Sequence, residues 1–269
     1  MILITGGTGF VGSHLIRRLH EEGRSIRVLL RPSDSSPALP PGLPVEVAIR
    51  SLDDERGLRA ALVGVKSIFH LAGVNWLDTR LEWFETEVQG TRSLLAAAQD
   101  AGVGRIVMLS HLDADRGSAF SLFKSKAIVE EDIRKSGLDY TILRSSLAYG
   151  PGDNFTSPLA QLYSMAPGIF ALPGDGYSLL QPIWIEDLVS CLAWSLDHEE
   201  CLNAVLEIGG PEHLTIRDIL TLMAAAMDRR RHLAFVRPSY YRILANALRF
   251  MLPRLPLSPV WVEIGRAHV

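Results

Sequence analysis

The sequence of 269 residues contains little cysteine and no long apolar run, and both absences restrict its function. Its two cysteines, Cys191 and Cys201, have neither the spacing of metal ligands nor that of a redox pair, so we expect packing residues in a reducing compartment. No stretch reaches the roughly 18 uninterrupted apolar residues that a membrane span requires. Residues 1–5 are typical of a first strand rather than a signal peptide, which predicts a cytoplasmic protein.

The charge balance excludes another class of protein. The chain has 27 Lys and Arg residues against 30 Asp and Glu residues, and its formal net charge is −3. It therefore has no basic excess with which to neutralise a phosphate backbone, so we predict no nucleic-acid partner. No cluster of His and Cys residues indicates a metal, and no Gly-x-Ser-x-Gly motif indicates a hydrolase.

A glycine-rich turn near the start of the chain is its most informative feature. The run TGGTGFVG covers residues 5–12, directly after an apolar strand pattern and directly before a helical one. Gly6 permits a tight turn, Gly9 lets the backbone approach a pyrophosphate, and Gly12 lets the helix pack on the strand. The start of that helix offers unpaired N–H groups to phosphate, so the motif predicts a dinucleotide site.

Strand and helix patterns alternate after this motif. Predicted strands cover 25–30, 45–49, 67–71, 105–109 and 140–143, and predicted helices cover 53–62, 82–101 and 121–136. This alternation predicts an α/β Rossmann fold with a doubly wound parallel sheet. Pro- and Gly-rich connections dominate after Gly150. We therefore predict an NAD(P)-binding Rossmann domain over 1–150 and a smaller C-terminal α/β lobe over 151–262, interleaved with it, for a substrate or partner.

Several motifs resemble one superfamily. They are TGGTGFVG at 5–12, HLAG at 70–73, FSLFKSK at 120–126, ILRSSLAYGPGD at 142–153 and EIGGPEHLTIRDIL at 207–220. The chain resembles the extended and atypical short-chain dehydrogenase/reductases, in the NAD-dependent epimerase/dehydratase-like group and its branch similar to the NDUFA-nine-type accessory subunit of respiratory complex I. The resemblance implies that Thr8, Gly9, Phe10 and Val11 line the pyrophosphate, and that Leu71, Ala72 and Gly73 pass under the adenosine and ribose.

The end of the second strand bears on the choice of coenzyme. An acidic residue there would hold the ribose hydroxyls of NAD, whereas this chain has Arg31 followed by Ser33, which can bind a 2′-phosphate. We therefore predict NADP(H), with NAD(H) as the alternative. The resemblance implies an Asp near adenine after the third strand, where this chain has Ser51 and Leu52, with Asp53 following.

The proton-transfer residues that the resemblance implies are incomplete. The superfamily uses a Tyr-x-x-x-Lys pair in which the phenol exchanges a proton while hydride moves at the nicotinamide. Two registers fit this chain, Phe120 with Lys124 and Leu122 with Lys126. Neither Phe nor Leu can carry a proton.

Two neighbouring side chains are further catalytic candidates. Ser110, at the end of the fifth predicted strand, matches the serine that the family uses. His111 follows it, and an imidazole titrates near neutrality, so His111 is a candidate replacement acid. Its alternative role is that of an ordinary hydrogen-bonding loop residue.

These observations leave three interpretations. The leading one is a protein whose NADP(H) is structural or regulatory and steadies a partner interface, as the complex I resemblance implies. The second is an active NADP-dependent oxidoreductase or epimerase that acts on a small carbonyl, isoprenoid, quinone-like or sugar-derived substrate with a non-standard proton donor. The third is a redox sensor whose partner affinity differs between NADPH and NADP⁺.

Two C-terminal segments differ from the rest. Residues 240–261 mix Leu, Phe, Met and Trp with arginines, so they can pack on their own domain, on a partner protein or on a membrane surface, which would make the cytoplasmic protein peripheral to a membrane. Residues 263–269, back-translated in one frame, match the start of a widely used DNA-sequencing adapter. We therefore expect 263–269 to be foreign and the natural C-terminus to be missing.

Overall fold

A computed structural model describes residues 1–33, 39–73, 81–237, 239–240 and 243, with only the backbone described for 81–86. Apart from Tyr240 and Ile243, the C-terminal segments 240–261 and 263–269 lie outside the described residues. Within the described part of the chain, no helix is long and apolar enough to cross a membrane.

Strands and helices alternate along the first half of the chain. They are β1 (Ile2–Thr5), α1 (Phe10–Glu21), β2 (Ile26–Leu30), β3 (Glu46–Ile49), α2 (Glu55–Ala61), β4 (Ser67–His70), α3 (Leu81–Asp100), β5 (Arg105–His111), α4 (Ser121–Lys135) and β6 (Asp139–Ser145). Each predicted strand and helix over this region is present, with ends that differ by at most two residues. The period of the apolar residues was therefore sufficient to locate these elements.

Shorter elements follow. They are β7 (Ala148–Tyr149), α5 (Thr156–Met165), β8 (Ile169–Pro173), β9 (Leu179–Leu180), β10 (Ile183–Trp184), α6 (Ile185–Asp197), a 3₁₀ turn (Glu199–Cys201), β11 (Ala204–Ile208), β12 (Leu214–Thr215), α7 (Ile216–Ala226) and β13 (His232–Val236). The chain folds into two compact units. Among the described residues, the first combines 1–33, 39–73, 81–145 and 185–208, and the second contains 146–184, 209–237, 239–240 and 243.

The first unit contains a seven-stranded sheet in the order β11-β6-β5-β4-β1-β2-β3. All six pairings between neighbouring strands are parallel. The predicted doubly wound Rossmann sheet is therefore confirmed. The order of the strands reverses between β1 and β4, and in such sheets ligands bind outside the carboxyl ends of the strands at this switch point.

Helices cover the sheet on both faces. Leu58 of α2, Leu94 of α3 and Val129 of α4 belong to one buried apolar cluster with the strands. Helices α1 and α6 pack together, and α6 also contacts β5 and β6. The Arg105 guanidinium on β5 donates to the carbonyls of Ser195 and Leu196, which fixes the last turn of α6 against the sheet.

The second unit has its own apolar core, which includes Phe155 and Tyr163. The buried Asp153 carboxylate, at the end of the YGPGD run, accepts hydrogen bonds from the backbone N–H groups of Gly150, Phe155 and Ser157. This part of the motif therefore forms the turn before α5, because a buried carboxylate needs several donors.

Candidate functional site

The glycine loop connects β1 to α1 at the carboxyl edge of the sheet. Gly6 has φ of +72°, and a Cβ there would lie 2.6 Å from the backbone of Leu71 and Ala72. A Cβ on Gly12 would lie 2.2 Å from the Gly6 carbonyl oxygen. A larger side chain at Gly6 would push the loop away from the segment after β4, and one at Gly12 would push α1 away from the loop. Both positions therefore require glycine.

The start of α1 is suited to an anion. Its first turn contains no acidic residue, and its N-cap, Gly9, provides no side-chain hydrogen bond. The first N–H groups of a helix have no intrahelical acceptor, and the helix dipole places partial positive charge there. This combination can hold a phosphate group.

A cavity of about 590 Å³ lies beside this loop, within the size range of small-molecule and cofactor sites. Its lining comes from the carboxyl ends of neighbouring strands and from α3. The lining residues are Thr5, Gly6, Thr8, Gly9, Leu29, Leu30, Arg31, Arg50, Ser51, Leu52, Asp53, Leu71, Ala72, Gly73, Gln89, Gly90 and Ser93.

Most of the coenzyme-binding residues predicted from sequence line this cavity: Gly6, Thr8, Gly9, Arg31, Ser51, Leu52, Leu71, Ala72 and Gly73. Four others, Phe10, Val11, Gly12 and Ser33, are described but do not belong to its lining. Phe10 and Val11 are the first two residues of α1.

Sequence reasoning missed Arg50 and the α3 residues Gln89, Gly90 and Ser93 as lining residues. Gly90 offered a signal, since glycine inside a helix is unfavourable without a packing reason. A Cβ on Gly90 would lie 2.9 Å from the Cβ of Leu52, so the glycine lets α3 approach the segment after β3.

A buried polar chain holds the segment after β4 in place. Thr91 donates its hydroxyl proton to the Glu87 carbonyl, so its Oγ1 accepts from His70 Nε2 at 2.9 Å. His70 Nδ1 then accepts from the Thr5 hydroxyl at 2.9 Å, and Thr5 Oγ1 accepts from the Ala72 N–H at 3.2 Å. The imidazole is thereby fixed as one neutral tautomer.

Burial is the main reason that His70 stays neutral. Together with the nearby Lys126 charge, whose effect is smaller, it lowers the pKa of His70 from 6.5 to about 3. A neutral ring can donate to Thr91 and accept from Thr5 at the same time, which a doubly protonated ring cannot. His70 therefore orients the cavity wall at Ala72.

The two predicted lysines occupy different places on α4. Lys124 is exposed, whereas the Lys126 ammonium lies beside Gly73, so close that a Cβ on Gly73 would be 2.8 Å from Nζ. Lys126 Nζ also lies 2.9 Å from Glu87 Oε1, and Glu87 Oε2 accepts from the Ser125 hydroxyl at 2.9 Å. The structure therefore brings Lys126 to the cavity wall and leaves Lys124 on the helix surface.

Ser110 lies on the opposite side of its strand from His111. It donates a hydrogen bond to the carboxylate of a Glu130–Arg144 ion pair. Its hydroxyl donates to Glu130 Oε1 at 2.5 Å. The same carboxylate accepts from the Arg144 guanidinium at 2.7 Å, and that hydrogen bond raises the pKa of Arg144. Neither Ser110 nor His111 belongs to the lining of the cavity just described.

His111 lies beside a carboxylate. The Asp113 N–H donates to His111 Nδ1 at 3.2 Å, Asp113 Oδ2 lies 3.0 Å from the same nitrogen, and the ring packs on Phe123 with centroids 4.8 Å apart. Because Nδ1 accepts this N–H, the ring proton of the neutral imidazole lies on Nε2. His111 is therefore a candidate proton donor through Nε2 at the carboxyl end of β5.

Comparison with known proteins gives a result consistent with the predicted dinucleotide binding. A family model described as NAD(P)H-binding matches residues 6–152, which is more than half of the chain. A putative dihydroflavonol 4-reductase from Synechocystis is 39% identical over 243 residues, which cover 81% of this chain and 69% of that protein.

Two more distant matches are named as different kinds of protein, a respiratory-enzyme subunit and a sugar-nucleotide dehydratase. The mitochondrial NADH dehydrogenase [ubiquinone] 1 alpha subcomplex subunit 9 of Arabidopsis thaliana is 26% identical over 82% of this chain and 56% of its own length. A dTDP-glucose 4,6-dehydratase double mutant from Streptomyces venezuelae, solved with NAD bound, superposes with a TM-score of 0.74 at 26% identity, covering 88% of this chain and 84% of its own. The chain spans only about half the length of several curated relatives.

Proposed function

Because the chain belongs to the NAD(P)H-binding family, we propose that it binds NADP(H) in the cavity beside its glycine loop without turning it over. The pyrophosphate then lies at the start of α1, and the bound coenzyme stabilises or regulates the protein. The relative named as a subunit of NADH dehydrogenase supports a role for that stabilised fold in a protein interface.

The position of Lys126 supports the absence of turnover. Lys126 lies beside Gly73 at the cavity wall, which favours the register in which Leu122 occupies the position of the catalytic tyrosine. The Lys126 charge is already paired with Glu87, and the Ser110 hydroxyl is already paired with Glu130. The residues that the family resemblance assigns to proton transfer therefore supply no proton donor.

Arg31 supports a preference for NADP(H). This residue follows β2 and lines the cavity, where an acidic residue would hold the ribose hydroxyls of NAD. An arginine there favours the doubly charged 2′-phosphate of NADP(H) through charge-assisted hydrogen bonds.

The absence of turnover is tested by following NADPH absorbance with small aldehydes, quinones and nucleotide sugars, using the wild type, Leu122→Tyr and the matched variant Phe120→Tyr. We expect no steady oxidation by the wild type. Because general acid catalysis contributes about 10²- to 10⁴-fold, any gain should appear in Leu122→Tyr and not in Phe120→Tyr. Steady oxidation by the wild type would overturn the proposal.

A second candidate function is an active oxidoreductase or epimerase that uses His111 as its proton donor. The position of His111 at the carboxyl end of β5 favours it, as does the reductase named among the relatives. It predicts wild-type turnover of NADPH that falls about 10²-fold or more in His111→Ala and less in Asp113→Asn. His198→Ala is the matched control, because His198 lies at the end of α6 and contacts Trp194.

A further inference from the structure

The cavity has a second arginine that sequence reasoning did not assign. Arg50 directly follows β3, and Arg31 directly follows β2. The two strands pair in parallel with Leu30 opposite Ile49, and the Arg50 N–H donates to the Leu30 carbonyl at 2.8 Å. The two arginines therefore leave neighbouring strands at the same edge of the sheet, about 5 Å apart in backbone position.

The local structure directs the Arg50 side chain along α2. A Cβ on Gly57 would lie 2.1 Å from Asp54 Oδ2 and 2.3 Å from Arg50 Cδ, so both side chains lie over the first turn of α2 where glycine leaves room. Glycine in a helix is unfavourable by about 1 kcal/mol relative to alanine, so its presence at this position indicates a packing requirement. Within the cavity lining, Arg50 and Arg31 are the cationic side chains.

Arg50 Nη1 donates to the Ile49 carbonyl at 2.6 Å, and the nearby carboxylates are only weak competitors for the other N–H groups of the guanidinium. Asp54 Oδ2 lies 3.9 Å from Arg50 Nε, and both side chains are about half exposed, so solvent screens this pair. Asp54 Oδ1 accepts from the Gly57 N–H as the cap of α2. The Ser51 hydroxyl bonds to Asp53 and lowers its pKa, so this lining carboxylate also has a local partner.

We propose that Arg50 and Arg31 together bind the 2′-phosphate of NADP(H), and that Arg50 sets the preference for NADP(H) over NAD(H). This inference rests on the proposed coenzyme binding. Two planar guanidinium groups from adjacent strands can each make paired hydrogen bonds to the three terminal oxygens of one phosphate. NAD(H) has no group that could use the second arginine in this way.

The test measures binding of NADPH and NADH to the wild type, Arg50→Ala, Arg50→Lys and the control Arg56→Ala. Arg56 is an exposed arginine of α2 that does not belong to the cavity lining. We expect Arg50→Ala to weaken NADPH binding about 10- to 100-fold and NADH binding less than about twofold. Arg50→Lys should recover part of the loss, because lysine keeps the charge without the planar fork.

Competition with 2′,5′-ADP and 5′-AMP isolates the phosphate from the rest of the coenzyme. In the wild type 2′,5′-ADP should compete more strongly, and Arg50→Ala should remove most of that difference. Equal weakening of NADPH and NADH, or no weakening of either, would overturn the role of Arg50 while leaving coenzyme binding intact. A wild type that binds neither nucleotide would instead overturn the proposed function and this inference together.

Discussion

Lys126 Nζ lies 2.9 Å from Glu87 Oε1, and only 12% and 4% of these two side chains are exposed. The pair joins α4 to α3 beside Gly73, at the wall of the cavity next to the glycine loop. A buried ion pair of this kind fixes geometry because neither charge has water as an alternative partner. Lys126 is therefore held in place before any ligand arrives.

Glu87→Gln should destabilise the protein by about 3 kcal/mol, because it leaves a buried ammonium without its counter-charge. Urea unfolding measures this loss. In the double variant Glu87→Gln/Lys126→Met the loss should be smaller than the sum of the two single losses. The control Glu131→Gln, whose carboxylate pairs with Lys135 on the surface of α4, should have little effect. A loss in Glu87→Gln no larger than in this control would contradict the importance of the pair.

Ser110→Ala should reduce the free energy of unfolding by about 1–2 kcal/mol and leave NADPH affinity unchanged. The Ser110 hydroxyl donates to the buried Glu130 carboxylate, which would lose one of its donors. Denaturant unfolding and NADPH titration give the two readouts. Ser190→Ala, which removes a hydroxyl bonded to the Glu186 carbonyl on α6, is the control and should cost less. A large loss of NADPH affinity at unchanged stability would place Ser110 in the binding site instead.

Stability should fall in weak acid because of His70. Its folded-state pKa is lowered to about 3 from 6.5, so below pH 6.5 the unfolded chain takes up a proton that the folded protein excludes. The unfolded state then binds more protons, and stability falls as the pH decreases from 6.5 toward 3. The wild type should lose about 2 kcal/mol more than His70→Gln between pH 7 and pH 5. Equal losses in both proteins, measured by urea unfolding at the two pH values, would contradict a neutral buried His70.

The elements of the sheet were predictable from sequence because each carries its own signal. The glycines of residues 5–12 and the buried strands marked the first βαβ unit, and the helices showed the 3.6-residue period. The packing of α6 on the sheet and the addition of β11 to its edge were not predictable in this way. Ala204–Ile208 is a short edge strand with partly exposed residues, so its pattern does not distinguish it from the short strands of the second unit.

The site was predictable only where residues adjoin a motif. Arg31 follows a strand that the family motif identifies, whereas Arg50 is recognisable only once β3 is known to lie beside β2. The choice between Lys124 and Lys126 depended on which face of α4 points toward Gly73. The Glu87–Lys126 pair joins residues from separate helices, and local spacing contains no information about such contacts.

Thermal unfolding with NADPH, with NADH and without nucleotide tests the central claim most directly, since a ligand that binds only the folded state stabilises it. NADPH at about 100 times its Kd should add roughly 2.7 kcal/mol, and NADH at the same concentration should add clearly less. A shift with NADPH that exceeds the shift with NADH would support the coenzyme site and its arginines. No shift with either nucleotide would contradict coenzyme binding by this fold.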